Sequence, residues 1–327
     1  MVKERDYEFL NEKVIVLYDK LFPLYIVRGE KNFLVDAGTA AGAPRVYERI
    51  REILTNAASG GKGGFFEKSP PLTPQKTFDS PGVNERLKID TLLLTHTHWD
   101  HTGGAFYLQE KYGFNVIGSR LSGALLQKRK VLEVIEFMNL QYKSTLNDYS
   151  ESHFDPLQNI ESVKDGDTIR VDADSYFQVL ATPGHTRCSL SFFMLPERIL
   201  FPADAVGLIA RDGNIWPLFF SDYAQYEQSL ERLISLQAEV LAFSHNKLIK
   251  GKEKIKKHLE NCLIRTRSVK DRIVELLKKN PDPVITTDTL YEQEFADSPF
   301  IGSQESLKEN LKAMVKIVSN PRGARSL

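Results

Sequence analysis

The sequence predicts an α/β fold, and three features carry that expectation. Residues 89–94 are an apolar run that reads as a buried strand. It leads through Thr95-His96-Thr97-His98-Trp99-Asp100-His101-Thr102-Gly103-Gly104 into Ala105-Phe106-Tyr107-Leu108, which reads as the start of a helix. Short β-rich runs also recur on both sides of this turn, with helical patterns between them.

Taken in order, 14–18, 24–27 and 32–36 are β-rich, and Arg28-Gly29-Glu30-Lys31 is a hairpin turn. Asp36 ends the third run. An aspartate there can hold a neighbouring metal ligand in orientation or cap a helix at 44–55. Residues 56–86 hold Gly60-Gly61-Lys62-Gly63-Gly64 and Ser69-Pro70-Pro71, which exclude regular structure. A Gly-Lys-Ser/Thr ending is missing, so a surface insertion is expected rather than a phosphate cradle. After the histidine turn, 104–112 reads as a helix and 115–118 as a strand. Residues 119–142 look helical, with Leu125, Leu132, Ile135, Met138 and Tyr142 along one face and Phe137 off it. Lys128-Arg129-Lys130 lies within that stretch. Residues 143–160 are polar and aromatic, so 119–160 forms a helical insertion that can wall a substrate pocket.

β structure resumes at 167–171, 176–181, 189–195 and 198–201. A helix follows at 222–237, with Tyr226, Leu230, Leu233 and Leu236 inward, and a strand at 239–243. From 252 onward the pattern is helical. Leu259, Leu263, Thr266, Val269, Ile273 and Leu277 form one stripe, and Pro281-Asp282-Pro283 stops it. A short helix is expected at 287–295 and a last one through Leu307, Leu311, Met314, Val315 and Val318, capped by Ser303. These readings divide the chain into a main domain, 1–250, and a helical appendage, 251–327.

The 327 residues carry 43 Lys+Arg against 43 Asp+Glu, which argues against a nucleic-acid partner held by a broad basic face. No stretch approaches a membrane span, and two cysteines, Cys188 and Cys262, read as reduced thiols. A cytoplasmic protein with a small-molecule partner is expected, without nucleic acid or membrane and with a homodimer allowed.

With 7 histidines in the chain, a chance His-x-His-x-Asp-His match is on the order of 10⁻⁴. Imidazole and carboxylate are ligands that zinc and similar divalent ions prefer. His185, Asp204 and His245 each follow a β-run, as His96 does. Seven candidate ligands suit two divalent ions. His96, His98 and His185 are assigned to the first, Asp100, His101 and His245 to the second, with Asp204 bridging. Zinc is the default; iron or manganese fits the same donors.

The His-x-His-x-Asp-His run, Thr182-Pro183-Gly184-His185-Thr186, Asp204 and His245, in that order, resembles the metallo-β-lactamase-fold superfamily over about 14–250. The resemblance implies an αβ/βα sandwich with the metals at one edge of two sheets. Ala203 and Ser244 stand where that family usually has glycine. Asp204-Ala205, Trp216-Pro217-Leu218, 223–236, Ser244-His245 and the C-terminal helices are similar to its quinolone-signal response, thioesterase type, which implies helices covering the site entrance.

Two such ions can hold a bridging hydroxide that attacks an acyl carbon, with Asp100 and Asp204 as the catalytic carboxylates. A thiolate, with a conjugate-acid pKa of roughly 8–9, departs unaided; an alkoxide, near 15–16, profits from a metal or an acid. Homoserine-lactone hydrolases of the superfamily carry Tyr three residues after the bridging Asp, where this chain has Gly207. A thioester substrate is therefore expected. Trp216, Phe219, Phe220 and Tyr223 are the candidate acyl contacts, and Lys128, Arg129 and Lys130 the candidate phosphate contacts of an acyl-CoA. Three rival readings are a lactonase, a phosphoester hydrolase, and a regulatory protein that keeps the metals but binds a partner through an exposed stripe on 305–318. Redox diiron relatives usually have Glu where this chain has His98.

Overall fold

Val14 and Val16 face one side of their strand and Ile15 and Leu17 the other, and all four are buried. A strand covered on both faces belongs inside layers, and that is where this one lies. The computed structural model of the chain describes residues 7–19, 22–58, 88–148, 152–210, 212–245, 248–296 and 304–320. One sheet runs in chain order: β1 (Tyr7–Phe9), β2 (Val14–Asp19), β3 (Phe22–Val27), β4 (Phe33–Val35), β5 (Thr91–Leu93), β6 (Asn115–Ser119) and β7 (Ile160–Val163). It is antiparallel up to β4 and parallel from β4 to β7. The second sheet contains β8 (Thr168–Arg170), β9 (Tyr176–Ala181), β10 (Leu190–Leu195), β11 (Ile199–Phe201), β14 (Val240–Leu241) and β15 (Ile249–Lys250). A small hairpin, β12 (Leu208–Ile209) with β13 (Ile215–Trp216), lies apart from both.

Val14, Val16, Tyr25, Phe33 and Leu93 of the first sheet meet Phe177, Val179, Phe192 and Phe201 of the second in the central core. The alternate residues, Ile15, Leu24, Ile26, Leu34 and Leu92, pack outward on α1 (Ala43–Ala58), α3 (Ala105–Tyr112) and α5 (Arg129–Thr145). Leu180, Phe193, Leu200 and Leu241 pack outward on α6 (Tyr223–Ser235), α7 (Lys252–Lys279), α8 (Pro283–Glu294) and α9 (Gln304–Ser319). The result is the expected αβ/βα sandwich. Because β9 and β14 both run parallel to β11, their C-terminal ends share one edge. The loops after those ends therefore converge.

Several local expectations need correction. The helix expected at 119–142 is two helices, α4 (Arg120–Leu125) and α5. Ser119 caps α4 by accepting a hydrogen bond from the Ser122 amide, and a turn at 126–128 separates the two. The buried stripe of α5 is Leu132, Ile135, Asn139 and Lys143, while Met138 and Tyr142 are half-buried and Phe137 is exposed. β1 and β7 fall in segments without a strand pattern, since both are short and largely uncovered. Helix α8 starts at Pro283, not 287, because Asp282 accepts from the Val284 and Ile285 amides and proline suits the first helical position. On α7 the deepest residues are Ile255, Leu259, Cys262, Thr266, Val269, Ile273 and Leu276, with Leu263 and Leu277 flanking them.

Leu307, Leu311, Met314 and Val315 of α9 are buried in the α6–α9 core, so the stripe that partner binding would use is packed within the chain. Helix α1 extends to Ala58; the rest of the 56–86 insertion and the Ser303 cap lie outside the described residues. Among the described residues, no helix is long and apolar enough to cross a membrane.

Candidate metal centre

The histidine turn is built by backbone geometry. His98 is extended and precedes the one-turn α2 (Trp99–Thr102); its carbonyl accepts hydrogen bonds from the His101 and Thr102 amides and from Thr102 Oγ1. The turn thereby separates His96 and His98 from Asp100 and His101. Parallel pairing of Val35 with Leu93 sets Asp36 beside Thr95. Asp36 Oδ1 accepts from the Thr95 amide at 2.9 Å, and Oδ2 accepts from His101 Nδ1 at 2.7 Å. Asp36 thus holds a ligand ring and turns its Nε2 toward the cluster, which decides between its two expected roles. His185 is held the same way: its Nδ1 donates to the Leu218 carbonyl at 2.8 Å.

Asp204 sits on a 3₁₀ turn, Ala203–Val206, directly after β11. Ala203 has φ of 49°, left-handed backbone in which glycine is less strained. That is the physical content of the glycine this chain lacks. The two carboxylate oxygens of Asp204 face different partners. Oδ2 is 3.2 Å from His185 Nε2 and 3.9 Å from His96 Nε2. Oδ1 is 3.1 Å from His245 Nε2 and 3.5 Å from His101 Nε2. His245 Nε2 lies 3.6 Å from Asp100 Oδ2, and His98 Nδ1 lies 2.9 Å from His185 Nε2.

All seven expected ligands are brought together. One set is His96, His98, His185 and Asp204; the other is Asp100, His101 and His245. His96 Nε2 and Asp204 Oδ1 are buried without a hydrogen-bond partner. Buried polar atoms are rarely left so. Donor atoms that converge on common points fit divalent cations, and the donor set suits zinc.

The electrostatics of the two sets differ. Burial lowers His98 to about 4 and His185 to about 3, against the pull of Asp204. Burial and the neighbouring histidines hold His96 well below its usual value. His101 and His245 are also buried, but carboxylates outweigh that: Asp36, Asp204 and Asp100 raise His101, and Asp204 and Asp100 raise His245. Asp204 stays well below the carboxylate range, because His245, His101 and His185 outweigh its burial. Protons compete with cations for these atoms. A raised pKa takes up its proton at higher pH, so on acidification the second set should release its ion first. Zinc content after equilibration at stepped pH checks this; simultaneous loss of both ions would contradict it.

The expected acyl contacts separate. Phe220 is half-buried with its ring 5.0 Å from that of His185. Trp216 and Phe219 are buried core, Trp216 under Phe295 at 4.6 Å and Phe219 against Tyr223 and Tyr226. Tyr223 is half-buried, bonded to Glu227 and raised to about 12 by burial and that glutamate. So only Phe220 of the four is brought to the metal ligands. An aromatic group the sequence reading did not single out stands on the other side. Phe22 packs 5.4 Å from the His245 ring, 6.3 Å from Trp99 and 5.8 Å from Tyr142, and Trp99 and Tyr142 are 5.4 Å apart. Trp99 lies inside the motif and Tyr142 on a stripe that reads as a core face; Phe22 carried no signal. Cys188 is buried near Thr97 and Thr186, as a packed thiol rather than an open nucleophile. Lys128, Arg129 and Lys130 are exposed, and Arg129 pairs with Glu133. A cavity of about 630 Å³ lies between α3 and 152–159, and no metal ligand lines it.

Comparison with known proteins agrees with this geometry. Residues 24–245 match the family description Metallo-beta-lactamase superfamily, so the chain belongs to that superfamily. The chain is 26% identical to the Caenorhabditis elegans Beta-lactamase-like protein 2 homolog over 71% of this chain and 68% of that protein. It is 25% identical to a Prochlorococcus marinus hydroxyacylglutathione hydrolase over 68% of this chain and 76% of the relative. Its identity to an Aspergillus fumigatus atrochrysone carboxyl ACP thioesterase is 27%, over 58% and 49%. Among solved structures, a beta-lactamase domain protein from Burkholderia ambifaria superposes with a TM-score of 0.63 at 15% identity, covering 97% of this chain and 88% of that one. That likeness speaks to the fold alone.

Proposed function

We propose that the chain is a dinuclear metal-dependent hydrolase of acyl thioesters. The metal-binding donor set and superfamily membership support hydrolysis; Gly207 supports the thioester. Two divalent ions in the two sets would supply a nucleophile from water at neutral pH and polarise an acyl carbonyl. Zinc is the first choice, and iron or manganese suits the donors as well. The chain's own part is to hold the sets in register. Asp204 offers one oxygen to each set, Asp36 fixes His101, and the Leu218 carbonyl fixes His185.

Gly207 has φ of 73°, and a Cβ there would lie 2.4 Å from the Trp216 carbonyl oxygen. The position is closed to the tyrosine found in lactone-opening relatives. Tyr226, whose hydroxyl reaches the turn that carries Asp204, donates to the Asp204 backbone carbonyl at 3.3 Å and is deeply buried, while Tyr223 is bonded to Glu227. A leaving group that needs no proton, a thiolate of pKa roughly 8–9, matches such a site. The acyl group is placed against Phe22, Trp99 and Tyr142, or against Phe220 across the ligands. Either surface favours an aromatic or medium-length apolar acyl chain.

The test is thiol release from a panel of acyl-CoA thioesters, beside oxygen esters of the same acyl groups. Protein of assayed metal content is compared with the His98→Ala and Tyr142→Ala variants. Metal-dependent release is expected, strongest for one aromatic or medium acyl chain and lost in His98→Ala. In Tyr142→Ala the preference for that chain should shrink by about three- to tenfold, the range of a lost aromatic contact. Two bound metals with lactone or phosphoester turnover and no thiol release would overturn the thioester reading.

A further inference from the structure

We propose that Asn139 is a positioning residue for the second ligand set, through which the helical insertion sets how tightly that set holds its ion. This rests on the two-ion reading of the site, not on the identity of the substrate.

Asn139 lies on α5 and has no exposed surface. Its Oδ1 accepts from the Ala40 amide at 2.8 Å. Its Nδ2 donates to the Trp99 carbonyl at 3.2 Å and to the Ile135 carbonyl at 2.9 Å. A buried amide with three of its four hydrogen-bonding positions filled is costly to disturb. The two distant partners matter most. Trp99 is the first residue of α2, which carries Asp100 and His101. Ala40 belongs to the loop after Asp36, the carboxylate that orients His101. The same loop is joined to the turn again by hydrogen bonds from the Ala37 amide to the His101 carbonyl and from the Gly104 amide to the Gly38 carbonyl. Asn139 thus spans the helix that carries His101 and the loop that aims it.

Gly103 shows that this approach is built in. Its backbone is ordinary helix, with φ of −57°, so no conformational need calls for glycine. A Cβ there would lie 2.4 Å from Asn139 Oδ1, 2.5 Å from the Trp99 carbonyl oxygen and 2.6 Å from Asn139 Nδ2. The missing side chain leaves the space in which the amide meets the carbonyl it bonds. The first set is oriented by groups Asn139 does not touch: His185 is bonded to Leu218, and His96 to Thr95, which is in turn bonded to Asp36 and links the two arrangements.

The experiment measures zinc affinity for each of the two ions by competition with chromophoric chelators, in the full chain and in Asn139→Ala, with the melting temperature of the metal-free proteins in parallel. The second ion should bind about 10- to 100-fold more weakly, as when a group behind a metal ligand is removed, and the first within about twofold of wild type. If Asn139→Ala does not fold, Asn139→Asp carries the test. It keeps the shape and the acceptor for Ala40 but sets a lone pair against the Trp99 carbonyl, and the same selective loss is expected. Equal weakening of both ions, or a lowered melting temperature with the second ion held as before, overturns the inference. A wild-type chain that binds only one ion overturns the two-ion reading and this inference with it.

Discussion

Asp204→Ala should lose at least one of two bound metals and nearly all hydrolysis. Asp204 is the only carboxylate of the described cluster with an oxygen toward each set, Oδ2 to His185 and His96, Oδ1 to His245 and His101. Its Oδ1 is buried and otherwise unpartnered. Removing it leaves the first set with three neutral rings and the second with Asp100 as its one anion. Metal-supplied activation is worth several kcal/mol of barrier, and each 1.36 kcal/mol is tenfold, so the rate should fall by ~10³ or more. Asp204→Asn separates charge from shape. It fills the same space with a neutral group, and a loss close to that of alanine is expected if the shared negative charge is what matters. Metal content by atomic emission, read beside thiol release, checks both variants. Two retained ions with full activity would remove Asp204 from its bridging role.

The parts of this site legible in the sequence are those with local geometry. The His-x-His-x-Asp-His run is read directly, because a strand-to-helix turn fixes the relation of all four ligands within six residues. His185, Asp204 and His245 are legible less directly, each as a polar residue after a β-run. What makes them meet is the shared direction of β9, β11 and β14, which no single segment displays. Asp36 stayed open between two roles because the deciding contact, with Thr95 and His101, crosses from β4 to β5 and spans the 56–86 stretch. The Phe22–Trp99–Tyr142 wall was illegible for the same reason. Its members come from β3, the metal turn and the insertion, and helical periodicity alone assigns Tyr142 to the core face. Segmental errors have local causes. Pro281-Asp282-Pro283 reads as a stop for α7, yet the same aspartate and second proline start α8.

Phe219 and Phe220 show how far adjacent residues of one type can differ, and they support opposite expectations. Phe219 is fully buried against Tyr223 and Tyr226, within the core that joins the second sheet to α6. Phe219→Ala should cost about 3–5 kcal/mol, because a cavity remains where a phenyl ring was packed. At roughly 2–4 °C per kcal/mol for a domain of this size, the melting temperature should fall by about ten degrees. Turnover per folded, metal-loaded molecule should stay near wild type, since the ring touches no ligand. Phe220 is half-buried and its ring lies on His185. Phe220→Ala removes little core, so its melting temperature should move by only a few degrees. Its KM for apolar acyl thioesters should instead rise by about three- to tenfold, the range of one lost aromatic contact. Thermal denaturation and steady-state kinetics on both variants at equal metal content decide the matter. A KM effect confined to Phe219→Ala would move the acyl surface from the His185 side into what is here the core, and the α6 packing around Tyr226 would then have to open to admit substrate.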